Sequence, residues 1–201
     1  MTTYNNPRCA VLGYGSWATA IVKTLTVNHH HVDWLVLNDE ILQSLHDRSR
    51  NSKYLPWCYI DKEFMTPSND INAVVRDADM VFLAMPSAFL QKFLKPLTES
   101  LENKIVVSAV KGIIPGDYLT IVEHMNRYYD VPMENLAVVT GPSHAEEVGQ
   151  CQLSYLTVAS ERSTTADRVC GVLANDFFRC SPSHDVLGVE AAAIMKNVYA
   201  L

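Results

Sequence analysis

The chain has 201 residues, 48% hydrophobic and 19% charged, a balance that fits a globular fold with one full core, or one domain plus the start of another. A formal charge of −6 argues against a general nucleic-acid binder. No apolar run approaches the roughly 20 residues that span a bilayer, so membrane insertion is not expected.

The N-terminus, MTTYNNPRCA, lacks the basic, apolar and small-residue blocks of a secretion signal. Cys9, Cys58, Cys151, Cys170 and Cys180 are odd in number and scattered, with no CxxC pair, and read as reduced thiols of a cytoplasmic protein. The run His29-His30-His31 cannot turn three neighbouring imidazoles onto one ion from a regular element, so it reads as a solvated turn and no metal site is expected.

Taken in chain order, Cys9 to Leu12 is a short buried strand and Ser16 to Asn28 a helix, with Trp17, Ala20, Ile21 and Leu25 at helical spacing. Val32 to Leu37 is a second strand and Asp39 to Arg48 a second helix. Asn51 to Asn69 reads as a loop broken by Pro56 and Pro67. Asn69 or Asp70 caps a short helix to Arg76. Met80 to Met85 is a strand, Pro86-Ser87 opens a helix to about Leu97, and Lys104 to Val110 is the next strand. A turn at Pro115-Gly116 leads to a helix ending near Tyr129. Leu136 to Thr140 and Tyr155 to Ala159 are strands, with Ser143 placed to cap a short helix between them. A helix from Thr164 to Asn175 and a strand from Phe177 to Cys180 follow. Strands alternating with helices imply an α/β, Rossmann-like, doubly wound and mainly parallel sheet. From Val186 the pattern is helical and apolar to Leu201, which divides the chain into a dinucleotide-binding unit (1–185) and the start of a helix belonging to a further domain (186–201).

Gly13, Gly15 and Ala18 form GxGxxA between a strand and a helix. The first glycine permits the turn, the second lets backbone approach a pyrophosphate, and the small third residue lets helix and strand pack closely. An acidic residue is expected at the end of the second strand to take the ribose hydroxyls, and Asn38 and Asp39 stand there. No arginine accompanies them to receive a 2′-phosphate, which favours NAD over NADP. VFLAMPS (81–87), AVKG (109–112) and TGPSHAEEV (140–148) each fall at a strand end, where ligands sit in such sheets, and Lys196 interrupts the apolar AAAIMKNVYAL. Taken one at a time, Ser87 and Ser143 read as caps, Lys111 as a solvated strand-end charge and Lys196 as a snorkelling side chain.

Taken together, GYGSWATA, NSKYLP (51–56), AMPS, VKG, GPSHAEEV and MKN, in this order and spacing, resemble the N-terminal domain of the NAD(P)-dependent glycerol-3-phosphate dehydrogenases of the bacterial type, over nearly the whole chain. The chain departs from that family's usual pattern at Ala18, where glycine is common, at His144, where phenylalanine is common, and at Leu37-Asn38, which lacks an arginine. The resemblance implies cofactor contacts at Gly13, Gly15, Ser16, Trp17, Ala18, Asn38, Asp39, Pro86, Lys111 and Ala145. It implies substrate contacts at Lys111, Gly141, Ser143 and Lys196, with Lys196 and Lys111 as the catalytic lysines. The reaction implied is reversible reduction of dihydroxyacetone phosphate to sn-glycerol 3-phosphate for glycerophospholipid synthesis. A helical second domain would complete the site, and assembly as a homodimer is compatible. Two other readings stay open from the residues alone: another two-domain NAD-dependent hydroxy-acid or phosphate dehydrogenase, and a non-catalytic NAD-binding redox sensor. The sensor has no need of two lysines at element ends.

Overall fold

The structure is a computed structural model that describes residues 6–199, with side chains as far as Met195. Eight strands form one sheet: β1 (Cys9–Leu12), β2 (Val32–Leu35), β3 (Met65–Ser68), β4 (Met80–Leu83), β5 (Ile105–Ser108), β6 (Leu136–Thr140), β7 (Ser154–Ala159) and β8 (Phe178–Ser183). Their order across the sheet is β3-β2-β1-β4-β5-β6-β7-β8. The helices are α1 (Ser16–Val27), α2 (Asp39–Arg48), α3 (Ile71–Arg76), α4 (Ser87–Leu94), α5 (Ile121–Tyr129), α6 (Ala145–Gly149), α7 (Ser163–Leu173) and α8 (Val186–Tyr199).

The central strands β1, β2, β4 and β5 are buried at every position, as strands covered on both faces must be. Two apolar layers cover them. On one face Ala18, Ile21 and Leu25 of α1, Ile41 and Leu45 of α2, Val148 of α6 and Val169 of α7 pack against Cys9, Val11, Trp34 and Phe82. On the other, Val74 of α3, Leu90 and Leu94 of α4, Ile121 and Met125 of α5 and Val186 of α8 pack against Leu12, Leu35, Val81 and Leu83. This is the doubly wound sheet expected from the sequence.

The segment read as a loop from Asn51 to Asn69 contains a strand. Met65–Ser68 pairs in parallel with β2, with Pro67 opposite Trp34. Proline argues against a central strand, yet here it lies at the sheet edge, where a missing N–H breaks no second ladder. The last strand likewise runs past Cys180 to Ser183 and holds Pro182 on the opposite edge.

Among the described residues β6 and β7 form the one antiparallel pair. The cause is local: α6 has five residues and rises only about 7–8 Å, too little to return the chain to the far end of the sheet, so β7 starts where β6 stops.

Helix α8 is fixed to the sheet layer by Glu190, 2% exposed. Its Oε1 accepts from Ile121 N at 2.8 Å and Val122 N at 3.4 Å, the first amides of α5. The next amide, Glu123 N, donates to Thr120 Oγ1, while Glu123 Oε2 accepts from Thr120 N at 2.9 Å. The otherwise unpaired donors at the start of α5 are thus all met, two of them by this capping box and two from α8. Burial pushes the Glu190 carboxyl above its ordinary range, against the pull of those amides.

Candidate functional site

The order of strands reverses between β1 and β4, and a crevice at the carboxyl ends of the strands is expected at that point. The turn after β1 and the segment after β4 meet there. Gly13 has φ +120°, and a Cβ on it would stand 2.3 Å from Ala84 O. Glycine at 13 is therefore demanded by the fold itself. Gly15 is different. Its backbone is extended (φ −75°, ψ −175°), and a Cβ on it would meet no protein atom within 4 Å. Nothing in the chain requires Gly15 to be small, and the space beside it opens outward. That space fits a ligand pressed against main chain, and a dinucleotide pyrophosphate is the group that this turn receives elsewhere in such sheets.

The turn is electrostatically prepared for an anion. The three carbonyl groups of residues 13–15 all bond to the protein. Gly13 O accepts from Trp34 Nε1 at 2.6 Å, Tyr14 O from Asn51 Nδ2 at 2.9 Å, and Gly15 O from both Thr19 N at 2.9 Å and Thr19 Oγ1 at 3.0 Å. Gly15 is the N-cap of α1 and no side chain caps the helix, whose first turn holds no acidic residue. Its amides and its positive end are left for an external anion. Ala18, wholly buried, lets α1 lie close on the sheet, while Ser16 and Trp17 are half-buried at the rim.

Asn51 was part of the NSKYLP motif but was not singled out as a site residue, and neither was Trp34. Asn51 is wholly buried and uses its entire carboxamide. Nδ2 donates to Tyr14 O and to Thr19 Oγ1, both at 2.9 Å, and Oδ1 accepts from Lys53 N at 3.2 Å and Tyr54 N at 3.1 Å. It ties the glycine turn to the 51–60 loop. The available signal was chemical: a tryptophan in a buried strand needs a partner for its N–H, and an asparagine heading a loop is suited to bond backbone.

The other expected residues gather around this turn to differing degrees. Pro86 is exposed as the N-cap of α4, two residues beyond the Ala84 carbonyl that abuts Gly13. Lys111 is exposed, and Gly112 beside it has φ +113° with its Cβ position 2.8 Å from Ser87 Oγ, so the AVKG loop folds onto the start of α4. Ala145 opens α6, which packs on α1, and it adjoins the same apolar layer as Trp17. Gly141 is half-buried at the end of β6, and a Cβ there would stand 2.5 Å from Tyr155 O, so its smallness serves the packing of β7. Gly141, Thr140 and Pro142 line a cleft of about 350 Å³ with Val189, Ala192 and Ala193 of α8. Lys196 follows one turn later on the same helix, but its side chain lies outside the described residues.

Two readings of single residues change. Ser143 does not cap α6. The N-cap is His144, with no side-chain bond, and Ser143 is buried at 6% exposure with its N–H on Gly141 O. Asn38 is the N-cap of α2, and its Oδ1 accepts from Ile41 N at 3.0 Å, so that oxygen is committed to the helix. Asp39 lies exposed in the first turn of α2 beside Glu40. The turn falls at Asn28 and His29, with His29 in the left-handed region, while His30 is half-buried, and no cluster suited to a metal occurs among the described residues. Also among them, no helix is long and apolar enough to cross a membrane.

Residues 8–166 match the family described as NAD-dependent glycerol-3-phosphate dehydrogenase N-terminus. The chain is 31% identical over 194 residues to a glycerol-3-phosphate dehydrogenase (NAD(P)+) of Halalkalibacterium halodurans, covering 96% of this chain and 56% of that protein. It is 33% identical over 192 residues to the enzyme of the same name from Pseudomonas savastanoi pv. phaseolicola, covering 96% and 55%. The chain therefore spans little more than half the length of these relatives. In fold it is similar to the crystal structure of glycerol-3-phosphate dehydrogenase from Coxiella burnetii, with a TM-score of 0.86 at 24% identity over 96% of this chain and 59% of that one.

Proposed function

Because the chain belongs to the NAD-dependent glycerol-3-phosphate dehydrogenase N-terminal family, we propose that it is the cofactor-binding unit of a cytoplasmic enzyme that reversibly reduces dihydroxyacetone phosphate to sn-glycerol 3-phosphate, with NAD preferred over NADP. The observation that carries this reading is Gly15, a glycine for which the protein has no use of its own, at the uncapped start of α1. In this reading residues 1–185 hold the cofactor and 186–201 open the helix that leads to a substrate-binding domain, and two copies form a homodimer.

The turn at 13–15 and the amides of α1 would hold the pyrophosphate. Ser16, Trp17, Pro86 and Ala145 would line the cofactor, and Asn38 or Asp39 would meet the adenosine ribose. The nicotinamide supplies the hydride that reduces the ketone. The protein supplies charge and position. Lys196 meets the carbonyl oxygen as negative charge grows on it and delivers the proton; in reverse, its neutral amine takes the hydroxyl proton. Lys111 orients the substrate from the AVKG loop after β5, and Gly141 and Ser143 meet it from the segment after β6. Two ammonium groups facing one substrate lower each other's proton affinity, which suits one of them to act as a base near neutral pH.

The test is NADH oxidation by the complete protein with dihydroxyacetone phosphate, run beside 2-hydroxy-acid substrates and their keto forms. Turnover with dihydroxyacetone phosphate alone is expected. Turnover with a keto acid instead, or NADH binding without turnover of any of them, would replace this reading.

A further inference from the structure

At the ribose end of the site stands an ion pair that neither the fold nor the pyrophosphate turn requires. Glu40 projects from the first turn of α2, directly beyond the end of β2, where a sheet of this kind receives the adenosine ribose. Its Oε2 lies 2.7 Å from Lys53 Nζ. The lysine is mounted on the glycine turn itself: Lys53 N donates to Asn51 Oδ1, and Asn51 Nδ2 donates to Tyr14 O. The pair thus joins the first turn of α2 to the 51–60 loop. Both side chains are open to solvent, at 44% exposed for Lys53 and 67% for Glu40. The bond to Glu40, with smaller help from Tyr54 and Tyr14, holds Lys53 more firmly protonated than a free lysine.

We propose that Glu40 and Lys53 set the choice between NAD and NADP, Glu40 by keeping Lys53 engaged and so withholding it from a 2′-phosphate. The argument rests on the NAD-binding reading above. With Asp39 and Glu40 against Lys53, the corner carries one excess negative charge, which a neutral 2′-hydroxyl tolerates and a phosphate dianion does not. Asn38 cannot redress this, since its Oδ1 is spent on Ile41 N and the carboxamide carries no charge. Neutralising Glu40 changes two things together. It removes a repelling charge, and it frees an ammonium that already stands at the right end of the site on a rigid mount.

The experiment is a double-mutant cycle read by direct titration of NADH and NADPH at fixed salt. Parent protein should bind NADH more tightly than NADPH. Glu40→Gln, which keeps the shape of the side chain, should move the NADPH-to-NADH affinity ratio toward NADPH by about tenfold, the scale expected for one unit charge facing a phosphate dianion in a solvated site. Lys53→Gln alone should move the ratio further toward NADH, because it leaves Glu40 unpaired. Lys53→Gln placed on Glu40→Gln should abolish most of the gain. A gain that survives in the double variant would overturn the role of Lys53, and no shift in Glu40→Gln would overturn that of Glu40. Failure of the parent to bind NADH would instead sink the cofactor reading and this proposal with it.

Discussion

The contrast between Gly13 and Gly15 gives a prediction in which stability and ligand affinity separate. Gly13→Ala forces a side chain into φ +120°, which costs on the order of 1–3 kcal/mol for a non-glycine residue. The new Cβ would also stand 2.3 Å from the carbonyl oxygen of Ala84, a backbone atom whose own amide bonds Leu12 O, so relief requires moving the ladder between β1 and β4. A loss of about 2–4 kcal/mol is expected. Gly15→Ala enters extended backbone and open space; the gain of about 0.4–1 kcal/mol from reduced freedom of the unfolded chain is offset by alanine's poorer N-capping, so the apo protein should stay within about 1 kcal/mol of the parent. NADH affinity should nevertheless fall by about tenfold or more in Gly15→Ala and further in Gly15→Val. A Cβ there holds the pyrophosphate off amides whose charge-assisted bonds are worth about 1.5–3 kcal/mol each. Urea unfolding gives the first quantity and titration of NADH fluorescence the second. A Gly15→Val protein that folds and binds NADH like the parent would refute the pyrophosphate reading of the turn. A Gly13→Ala protein of parental stability would refute the geometry on which the contrast rests.

Other outcomes follow from named contacts. In the complete enzyme Lys196→Ala should lower kcat by about 10²–10³ with NADH affinity nearly unchanged, because the ammonium meets full charge only in the transition state; steady-state kinetics on a variant with parental circular dichroism decides it, and a kcat close to the parent's removes Lys196 from the chemistry. Lys111→Ala should act more through KM, a split visible in the same assay. Asn51→Ala deletes a buried carboxamide that bonds four groups and should cost about 2–4 kcal/mol in urea unfolding, with weaker NADH binding as the Tyr14 carbonyl is released. Burial holds the His124 imidazole below its ordinary range, although Asp117, 3.6 Å away, pulls the other way. The unfolded chain therefore takes up that proton first. The His124 contribution is intact above about pH 6.5 and is lost as pH falls below it toward the lower folded value, with a slope of at most about 1.4 kcal/mol per pH unit. Unfolding of His124→Gln measured between pH 7.5 and 5 should depend less on pH than the parent, and parallel curves would count against the assignment.

What was legible in the sequence follows from the range of the forces involved. Strands such as Met80–Leu83 announce themselves because a parallel strand buried on both faces must be apolar throughout. The glycine turn was legible because its backbone demands are local. The edge strand Met65–Ser68 was hidden by Pro67, since only the sheet order reveals that this proline sits where no second neighbour needs its N–H. The reversal of β7 depended on the five-residue length of α6, and helix ends are the least certain part of any sequence reading. At the site the caps were hidden for the same reason: Asn38 caps α2, and Ser143 does not cap α6. Either can cap a helix or face a ligand, and φ and ψ of the next residues decide which. Asn51 and Trp34 reach the turn across 37 and 21 residues of chain, a relation that no local pattern encodes.

The carboxylate of Glu190 has a mechanical consequence. By holding the first two amides of α5, it makes the opening turns of α8 travel with the sheet as one rigid body. A load applied through the far end of α8 reaches the core through this buried bond and through the packing of Val186, Val189 and Ala193. Bending between the cofactor-binding unit and anything borne on that helix is then confined to the end beyond Ala193, where Lys196 sits. The AVKG loop leads to α5 through the turn at 113–120, so the chain that follows it ends on the same contact. One buried side chain therefore links the helix that carries Lys196 to the helix that follows the Lys111 loop.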